Sequence, residues 1–354
     1  MKMNFKYAIM TVAALAMGLT SCSNDENETP ENVTKELTIK ISGVNNSGTK
    51  AVETPAESGP NSVSLIDGYV FIIDRLGNIA QKIDLNVMEA TSESGQVISG
   101  VSLDSKVYVV GNIPDSQKDM IDKFKTFSEI ETEIFPINSQ RDYSSAILAN
   151  IKGEPVTVTL GGNGTVEAKV FINPIVSRIE LAKVKGTGNI KDFTITGVYI
   201  DSYYNFFTYV GGHGGSTYEQ GSRTNSIDCV GDKGSWKADG DLVAKPNDNN
   251  VWAHNVVAGA LPRFIISLTD VKYEKGNEVI ELPGTYYLTV TGYRNNDGSI
   301  LTSFERGNIY RIGSSNGIEF DEGDLDVTPN PVGRDLTLNV SIRGWILNTP
   351  TAEL

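Results

Sequence analysis

The sequence has 354 residues, a formal net charge of −14 and an isoelectric point of about 4.7. So acidic a chain is a poor partner for nucleic acid or an anionic membrane surface, and we expect neither. The 35 glycines and the recurring runs of strand-forming residues predict an all-β fold, and the length favours two domains. Cys22 and Cys229 are the only cysteines, so a modified Cys22 would exclude intrachain disulfides.

The first 22 residues have the organisation of an export signal. Lys2 and Lys6 precede an apolar stretch at 8–19, shorter than the ~20 residues that a membrane-spanning helix needs. The stretch ends in Leu-Thr-Ser-Cys at 19–22, which resembles a bacterial lipobox, where the cysteine thiol receives a diacylglyceryl group. We therefore expect a lipoprotein signal with Cys22 as the lipidation site. The alternative is an ordinary secretory signal with a chance cysteine.

The segment after Cys22 is acidic and polar. Residues 23–28, Ser-Asn-Asp-Glu-Asn-Glu, resemble the surface-export tether of Bacteroidetes lipoproteins and also have the composition of a disordered linker. No later segment is apolar for long enough to cross a membrane. We expect a body outside the cytoplasm, tied to the membrane by one lipid.

Alternating apolar and polar residues predict strands along most of the chain. In the first half they cover 37–42, 63–73, 79–85, 97–103, 106–112, 145–149, 156–160 and 166–172. One helix is predicted at 115–130, with Asp115 or Ser116 as its N-cap. In the second half the predicted strands cover 178–184, 193–200, 203–209, 251–257, 264–273, 286–293, 309–312 and 336–347, with a long loop region at 211–250. We place the domain boundary near residue 175, at Asn173-Pro174.

Residues that carry catalysis or bind metals are sparse. His213 lies in a glycine-rich loop and His254 in a strand-like run, so we expect no catalytic triad, no zinc site and no cofactor. Acidic residues at 321–326 could hold Ca²⁺, but their spacing does not match an EF-hand and a solvated loop is favoured. Trp252, Trp345 and the aromatic run 203–209 could form a glycan platform, although a core role is favoured.

Two strands near the ends of the chain share the same alternation. The first carries Leu37, Ile39 and Ile41 and is followed by a polar loop in which Lys50 precedes Ala51. The second carries Leu336, Leu338, Val340 and Ile342 and follows a proline-containing hinge at 328–331. Each could be an ordinary terminal strand of its own domain.

The alternative is strand exchange between copies of the chain. If a protease cuts after Lys50, the first strand can leave and expose an apolar groove with unpaired strand edges. The C-terminal strand of another copy could fill that groove. Burying about four aliphatic side chains would contribute roughly 6–12 kcal/mol before entropy costs. Because such a contact is head-to-tail, it would generate a filament.

Stretches along nearly the whole chain are similar to the fimbrillin family, the structural subunits of type V pili of Bacteroidales. They are 66–77, 107–114, 175–181, 197–200 and the terminus that contains Trp345. The resemblance implies two tandem transthyretin-like β-sandwich domains with one short helix in the N-terminal domain. It also implies lipoprotein export, removal of a pro-segment by a trypsin-like protease and polymerisation by strand exchange.

Carried over to this sequence, the resemblance implies a role for each matching residue. Cys22 would carry the lipid, including palmitate, Lys50–Ala51 would be the processing bond, and 336–347 would be the donor strand. Its donor residues would be Leu336, Leu338, Val340, Ile342, Trp345 and Ile346. The chain would divide into a signal (1–22), a pro-segment (23–50), an N-terminal domain (51–175) and a C-terminal domain (176–354).

The same resemblance sets the expected location and partners. The precursor would be anchored in the outer membrane and the mature protein would lie in a surface fimbrium that supports adhesion. Its partners would be other copies, accessory fimbrial subunits and the processing protease. The competing hypothesis is a surface lipoprotein that keeps its lipid and binds a glycan or another ligand, or acts as an anchor or tip subunit.

Overall fold

The computed structural model describes residues 34–43, 62–137, 146–160, 166–201, 203–213, 227–228, 236–239, 242–244, 252–259, 261–295, 297–313, 318–328, 336–344 and 346–348. Strands dominate them, so the all-β prediction is confirmed. The strands up to Pro174 are β1 (Thr34–Gly43), β2 (Ser62–Ser64), β3 (Gly68–Ile73), β4 (Ile79–Asp84), β5 (Gln96–Ser102), β6 (Lys106–Gly111), β7 (Phe135–Pro136), β8 (Leu148–Asn150), β9 (Val156–Thr157), β10 (Thr159–Leu160) and β11 (Val166–Pro174).

The later strands follow without an intervening α-helix in the described residues. They are β12 (Ser177–Leu181), β13 (Val184–Gly186), β14 (Ile190–Asp201), β15 (Phe206–Phe207), β16 (Ile227–Asp228), β17 (Trp236–Asp239), β18 (Val243–Ala244), β19 (Trp252–Val256), β20 (Arg263–Lys275), β21 (Glu278–Glu281), β22 (Tyr286–Arg294), β23 (Asn308–Ile312), β24 (Ile318–Phe320), β25 (Leu336–Gly344) and β26 (Ile346–Asn348). Short 3₁₀ turns lie at Ile151–Gly153 and Glu322–Asp324.

The first large sheet has the order β4-β3-β6-β8-β11-β1-β5, with β9 beside β6 and β10 beside β11. Successive side chains of β3 enter two different clusters of buried side chains, Val70 and Ile72 on one face and Phe71 and Ile73 on the other. A strand buried on both faces needs apolar residues at every position, which explains its continuous apolar run.

This sheet curls until its two end strands meet. The Gln81 side-chain Nε2 on β4 donates to the carbonyl oxygens of Ser99 and Gly100 in the β5 segment, at 3.2 and 3.1 Å. The aliphatic cluster that contains Val70 therefore lies inside a nearly closed sheet, and the inward side chains of β1, Leu37, Ile39 and Ile41, belong to it.

The helical prediction is wrong in its extent. The region predicted as one helix holds two, α2 (Asp115–Ile121) and α3 (Phe127–Thr132), and a short α1 lies at Val87–Ala90. The backbone between α2 and α3 instead bonds to the β3–β4 turn, because Ile79 N donates to Lys125 O and Phe127 N to Gly77 O. Thr126 and Glu129 form a capping box that begins α3. Pro114 is the N-cap of α2, so neither predicted residue has that role.

Two predicted strands are also shorter than expected. The region 63–73 is divided into β2 and β3, because residues 65–67 leave the ladder. The aromatic run 203–209 forms only β15, which pairs with β7. No helix in the described ranges has the length and hydropathy of a membrane crossing.

The second large sheet has the order β19-β12-β23-β25-β22-β20-β14-β17-β18-β13-β24, with β16 beside β14 and β21 beside β20. The chain passes from one large sheet to the other at 175–176, and β15 reaches back to pair with β7. One buried cluster runs through both regions, from Phe71 and Tyr108 to Phe193 and Phe264. Independent folding of two domains stays a prediction.

Candidate functional site

The first strand lies inside the first sheet, although it comes from the start of the described chain. It runs parallel to β11, with Leu37 opposite Val166 and Ile41 opposite Val170. It runs antiparallel to β5, with Leu37 also opposite Ile98. Among the described strands, β1 is the only ladder partner of β5.

The inward side chains of β1 are fully packed. Leu37 and Ile39 are 0% exposed and Ile41 is 3% exposed. Burying one such side chain is worth about 1.5–3 kcal/mol, so the three together contribute about 5–9 kcal/mol. The outward residues Thr38 and Lys40 are half-buried and Ser42 is exposed. The strand therefore fills a groove that would be apolar and open without it.

Strands β5 and β11 form the two walls of this groove. The β5 wall is held by side-chain hydrogen bonds that do not involve β1. Gln96 is 7% exposed, and its side chain accepts from Asn86 N and donates to Asp84 O, each at 3.0 Å. Gln81 supports the middle of β5 through its bonds to Ser99 and Gly100. These contacts tie β5 to β4 and α1 independently of β1.

The turn before β5 approaches β1 very closely. Gly95 has a φ of +75°, and a Cβ atom there would lie 2.7 Å from the Ile39 carbonyl oxygen. A side chain at this position would collide with the β1 backbone. Sequence reasoning missed Gly95 and Gln96, although a glutamine at an inward strand position was a signal available in the sequence.

The C-terminal strand occupies an internal place in the other sheet. β25 runs parallel to β22, with Tyr293 opposite Leu338, and antiparallel to β23, with Ile312 opposite Val340 and Tyr310 opposite Ile342. The structure therefore does not bring the predicted donor positions 336–342 together with β1. The next strand, β26, contains Ile346, pairs with β2 and contacts β1.

The other predicted positions fall in different parts of the chain. Cys22, Lys50, Ala51 and Trp345 lie outside the described residues, as does Cys229. The predicted processing bond lies in the 44–61 connection between β1 and β2.

The histidines and the acidic loop lie away from the groove. His213 stacks on Tyr204 with ring centroids 4.1 Å apart, and His254 is buried in β19. In the acidic loop, the Asp321 carboxylate accepts from Gly323 N at 2.7 Å within the loop, and the Glu322 carboxylate accepts from the Asn189 side chain at 2.7 Å. Across the described ranges, no three His, Cys, Asp or Glu side chains are placed to hold a metal ion.

No protein-family model matches the chain, and no curated sequence is significantly similar to it. Its fold is similar to that of a Parabacteroides distasonis protein described as a cell adhesion protein, with a TM-score of 0.58 and 14% identity over 91% of this chain and 100% of that one. A second Parabacteroides distasonis structure with the same description has a TM-score of 0.53 and 13% identity over 88% of this chain and 99% of that one.

The fimbrilin FimA of Porphyromonas gingivalis has a TM-score of 0.53 and 12% identity over 90% of this chain and 98% of that one. Similarity at such identities establishes the fold. The chain therefore has the fold of Bacteroidales fimbrillins over most of its length, which confirms the resemblance seen in the sequence.

Proposed function

We propose that the chain is a structural subunit of a surface fimbria, with a role in adhesion and no catalytic activity. The observation that carries the proposal is the place of β1, which completes a sheet from the extreme N-terminal side of the described chain. The similarity of the fold to FimA supports the same assignment. In this proposal the subunits polymerise when β1 leaves and the C-terminal strand of another copy replaces it.

The connectivity of β1 favours its release. Among the described strands, β1 is followed by β2 through the 44–61 connection, which contains the bond between Lys50 and Ala51. A cut there would leave β1 held by non-covalent contacts, chiefly its two ladders and three buried side chains. Because Gln81 and Gln96 support β5 separately, the groove would keep both walls after β1 has left.

The proposal assigns the donor role to 336–347, including Leu336, Leu338, Val340, Ile342, Trp345 and Ile346. To be donated, β25 would leave its place between β22 and β23, and β26 would leave β2. The proline-containing segment 328–331 would be the hinge. A trypsin-like protease would cut after Lys50, and Cys22 with its lipid would depart with residues 22–50 after delivery to the outer membrane.

The competing function is a lipoprotein that keeps Cys22 and β1 and binds a ligand, or serves as a fimbrial anchor or tip. The two differ in the N-terminus of the protein on cells. A shaft subunit begins near Ala51, whereas the competing forms begin at the lipidated Cys22.

The test is N-terminal sequencing of protein sheared from cells, combined with gel electrophoresis without heating. We expect an N-terminus at Ala51 and ladders of polymers that collapse on boiling. Lys50→Gln should leave the precursor uncut and abolish the ladders. Lys35→Gln, at a lysine within β1, is the matched control and should be processed normally. A monomeric, lipid-bearing protein that begins at residue 22 would refute the shaft-subunit proposal.

A further inference from the structure

The sequences of β1 and β25 can be aligned without a gap. Residues 37–43 read Leu-Thr-Ile-Lys-Ile-Ser-Gly, and residues 336–342 read Leu-Thr-Leu-Asn-Val-Ser-Ile. Leucine, threonine and serine are identical at the first, second and sixth positions, and the third and fifth are aliphatic in both. In β1 the first, third and fifth positions carry the buried side chains.

The two strands also pair with their neighbours in the same way. Each lies between one parallel and one antiparallel strand, β11 and β5 for β1, and β22 and β23 for β25. The backbone of β25 therefore already forms the mixed ladder that the β1 groove requires. Register in such a groove is set by which residues face inward, since a slip of one residue would reverse every side chain.

We propose that the C-terminal strand of a second copy enters the groove in one register, with Leu336, Leu338 and Val340 in the places of Leu37, Ile39 and Ile41. We further propose that Lys40 and Gly43 make β1 the weaker of the two occupants. Both statements rest on the proposed strand exchange.

Lys40 weakens the pairing of β1 with β11. It lies directly opposite Lys169 of β11, and both residues are on the outer face. Like charges at opposed positions on neighbouring strands repel each other. The nearest acidic residue along β11 on this face, Glu167, is opposite Thr38 instead. In the proposed register Asn339 takes the place of Lys40, so the incoming strand brings no second charge to Lys169.

Gly43 leaves the last inward position of β1 without a side chain. It is opposite Ile172, which is 1% exposed, and it continues the alternation set by Ile39 and Ile41. Ile342 takes this place in the proposed register and adds a β-branched side chain at a position facing the core. Glycine also loses more backbone freedom than any other residue when a strand forms.

The register can be read by disulfide crosslinking. Val97 of β5 is 55% exposed and lies opposite Thr38, so the proposed register places Thr337 opposite Val97. In a Cys229→Ser background, Val97→Cys is combined with Asp335→Cys, Thr337→Cys or Asn339→Cys. Fimbriae from cells expressing each pair are oxidised, boiled and run without reductant. We expect boiling-resistant dimers and longer ladders from the Thr337→Cys pair only.

The outcomes distinguish a wrong register from a failure of strand exchange itself. Crosslinking through Asp335→Cys or Asn339→Cys would leave strand exchange standing and overturn the register. Heat-sensitive ladders without a crosslink from any of the pairs would also overturn the register. If the Cys229→Ser parent forms no ladder at all, the proposed function itself fails, and the register with it.

The proposal that Lys40 and Gly43 make β1 the weaker occupant of the groove is tested by strand displacement. The purified precursor is cut after Lys50 with trypsin, and loss of the segment that contains β1 is followed while a synthetic peptide of residues 336–348 is added. The double variant Lys40→Asn/Gly43→Ile should slow displacement by about tenfold, a difference of about 1.4 kcal/mol. Lys35→Asn is the control and should be displaced at the unmodified rate. Equal displacement rates for the double variant and the unmodified chain would refute the roles of Lys40 and Gly43.

Discussion

The Arg306 guanidinium donates from Nη1 to the backbone carbonyl of Val210 at 2.7 Å. Its Nη2 donates to the Asn173 side-chain oxygen at 3.0 Å and to Ala149 O at 3.3 Å. One side chain, placed just before β23, thus joins the end of the first sheet to the segment that carries β15. Gly211 makes room for it, because a Cβ there would lie 2.8 Å from Nη1.

We predict that Arg306→Met destabilises the fold by about 1.5–4 kcal/mol, since the carbonyl oxygens of Val210 and Ala149 lose hydrogen bonds from a charged donor. Chemical denaturation of the unprocessed chain measures the loss. Arg294→Met is the matched control, because Arg294 donates to Gly298 O in an exposed turn and should change stability by less than about 0.5 kcal/mol. Equal losses would show that the Arg306 contacts are not structural.

Replacing an inward residue of β1 should destabilise the precursor in the manner of a core mutation. Ile39→Ala removes a fully buried side chain and is expected to cost about 2–5 kcal/mol. Ser42→Ala, on the exposed face of the same strand, should stay within about 0.5 kcal/mol. If thermal and urea unfolding give the two variants the same stability, the Ile39 side chain is not packed in the groove.

Loss of β1 should loosen β5 more than its neighbours. In the full chain the β5 amides are protected by the β1 ladder, whereas β6 pairs with β3 and β8. Hydrogen exchange of a dilute chain beginning at Ala51 should therefore be faster at 96–102 and unchanged at 106–111. Adding the 336–348 peptide should restore protection, and a scrambled peptide should not. Unchanged exchange at β5 would contradict the assigned topology.

Buried tyrosines predict the alkaline limit of stability. Burial raises the pKa of Tyr108, Tyr209 and Tyr293 above the ordinary value of 10.0. The unfolded chain therefore ionises first, and the stability present below pH 10 declines as the pH rises above it. Phenolate absorbance should rise together with loss of the β-sheet circular dichroism signal. Tyr293→Phe should weaken this pH dependence more than Tyr204→Phe at a half-buried position.

Local patterns predicted most strands, because alternation reports which face of a strand is buried. They failed where the structure depends on a hydrogen bond to backbone far away in sequence. The Lys125 carbonyl, for example, accepts from Ile79 N, and the predicted helix is interrupted there. Burial of Arg178, Glu180 and Arg311 was equally unforeseeable. Their charges would place them at the surface, yet Glu180 accepts from Arg178 at 2.8 Å and from Arg311 at 3.2 Å inside the second sheet.

The candidate site was predicted in part. The inward residues of β1 followed from their spacing, because period-two alternation is a local property. The identity of their neighbours did not, since only the folded chain shows that β1 separates β11 from β5. Gly95 and Gln96 belong to a turn and a strand whose partners lie far away in sequence, and no local pattern links them to Ile39.

The mixed ladder around β1 has a mechanical consequence for a filament built as proposed. A pull along the filament would act along the inserted strand, so its hydrogen bonds to β11 and β5 would be loaded in shear, all at once. Neither edge would be free to peel open bond by bond. Forced separation is governed by the rate of crossing the unfolding barrier, and simultaneous loading keeps that barrier high. The same arrangement that lets a strand be replaced once would then resist its extraction under load.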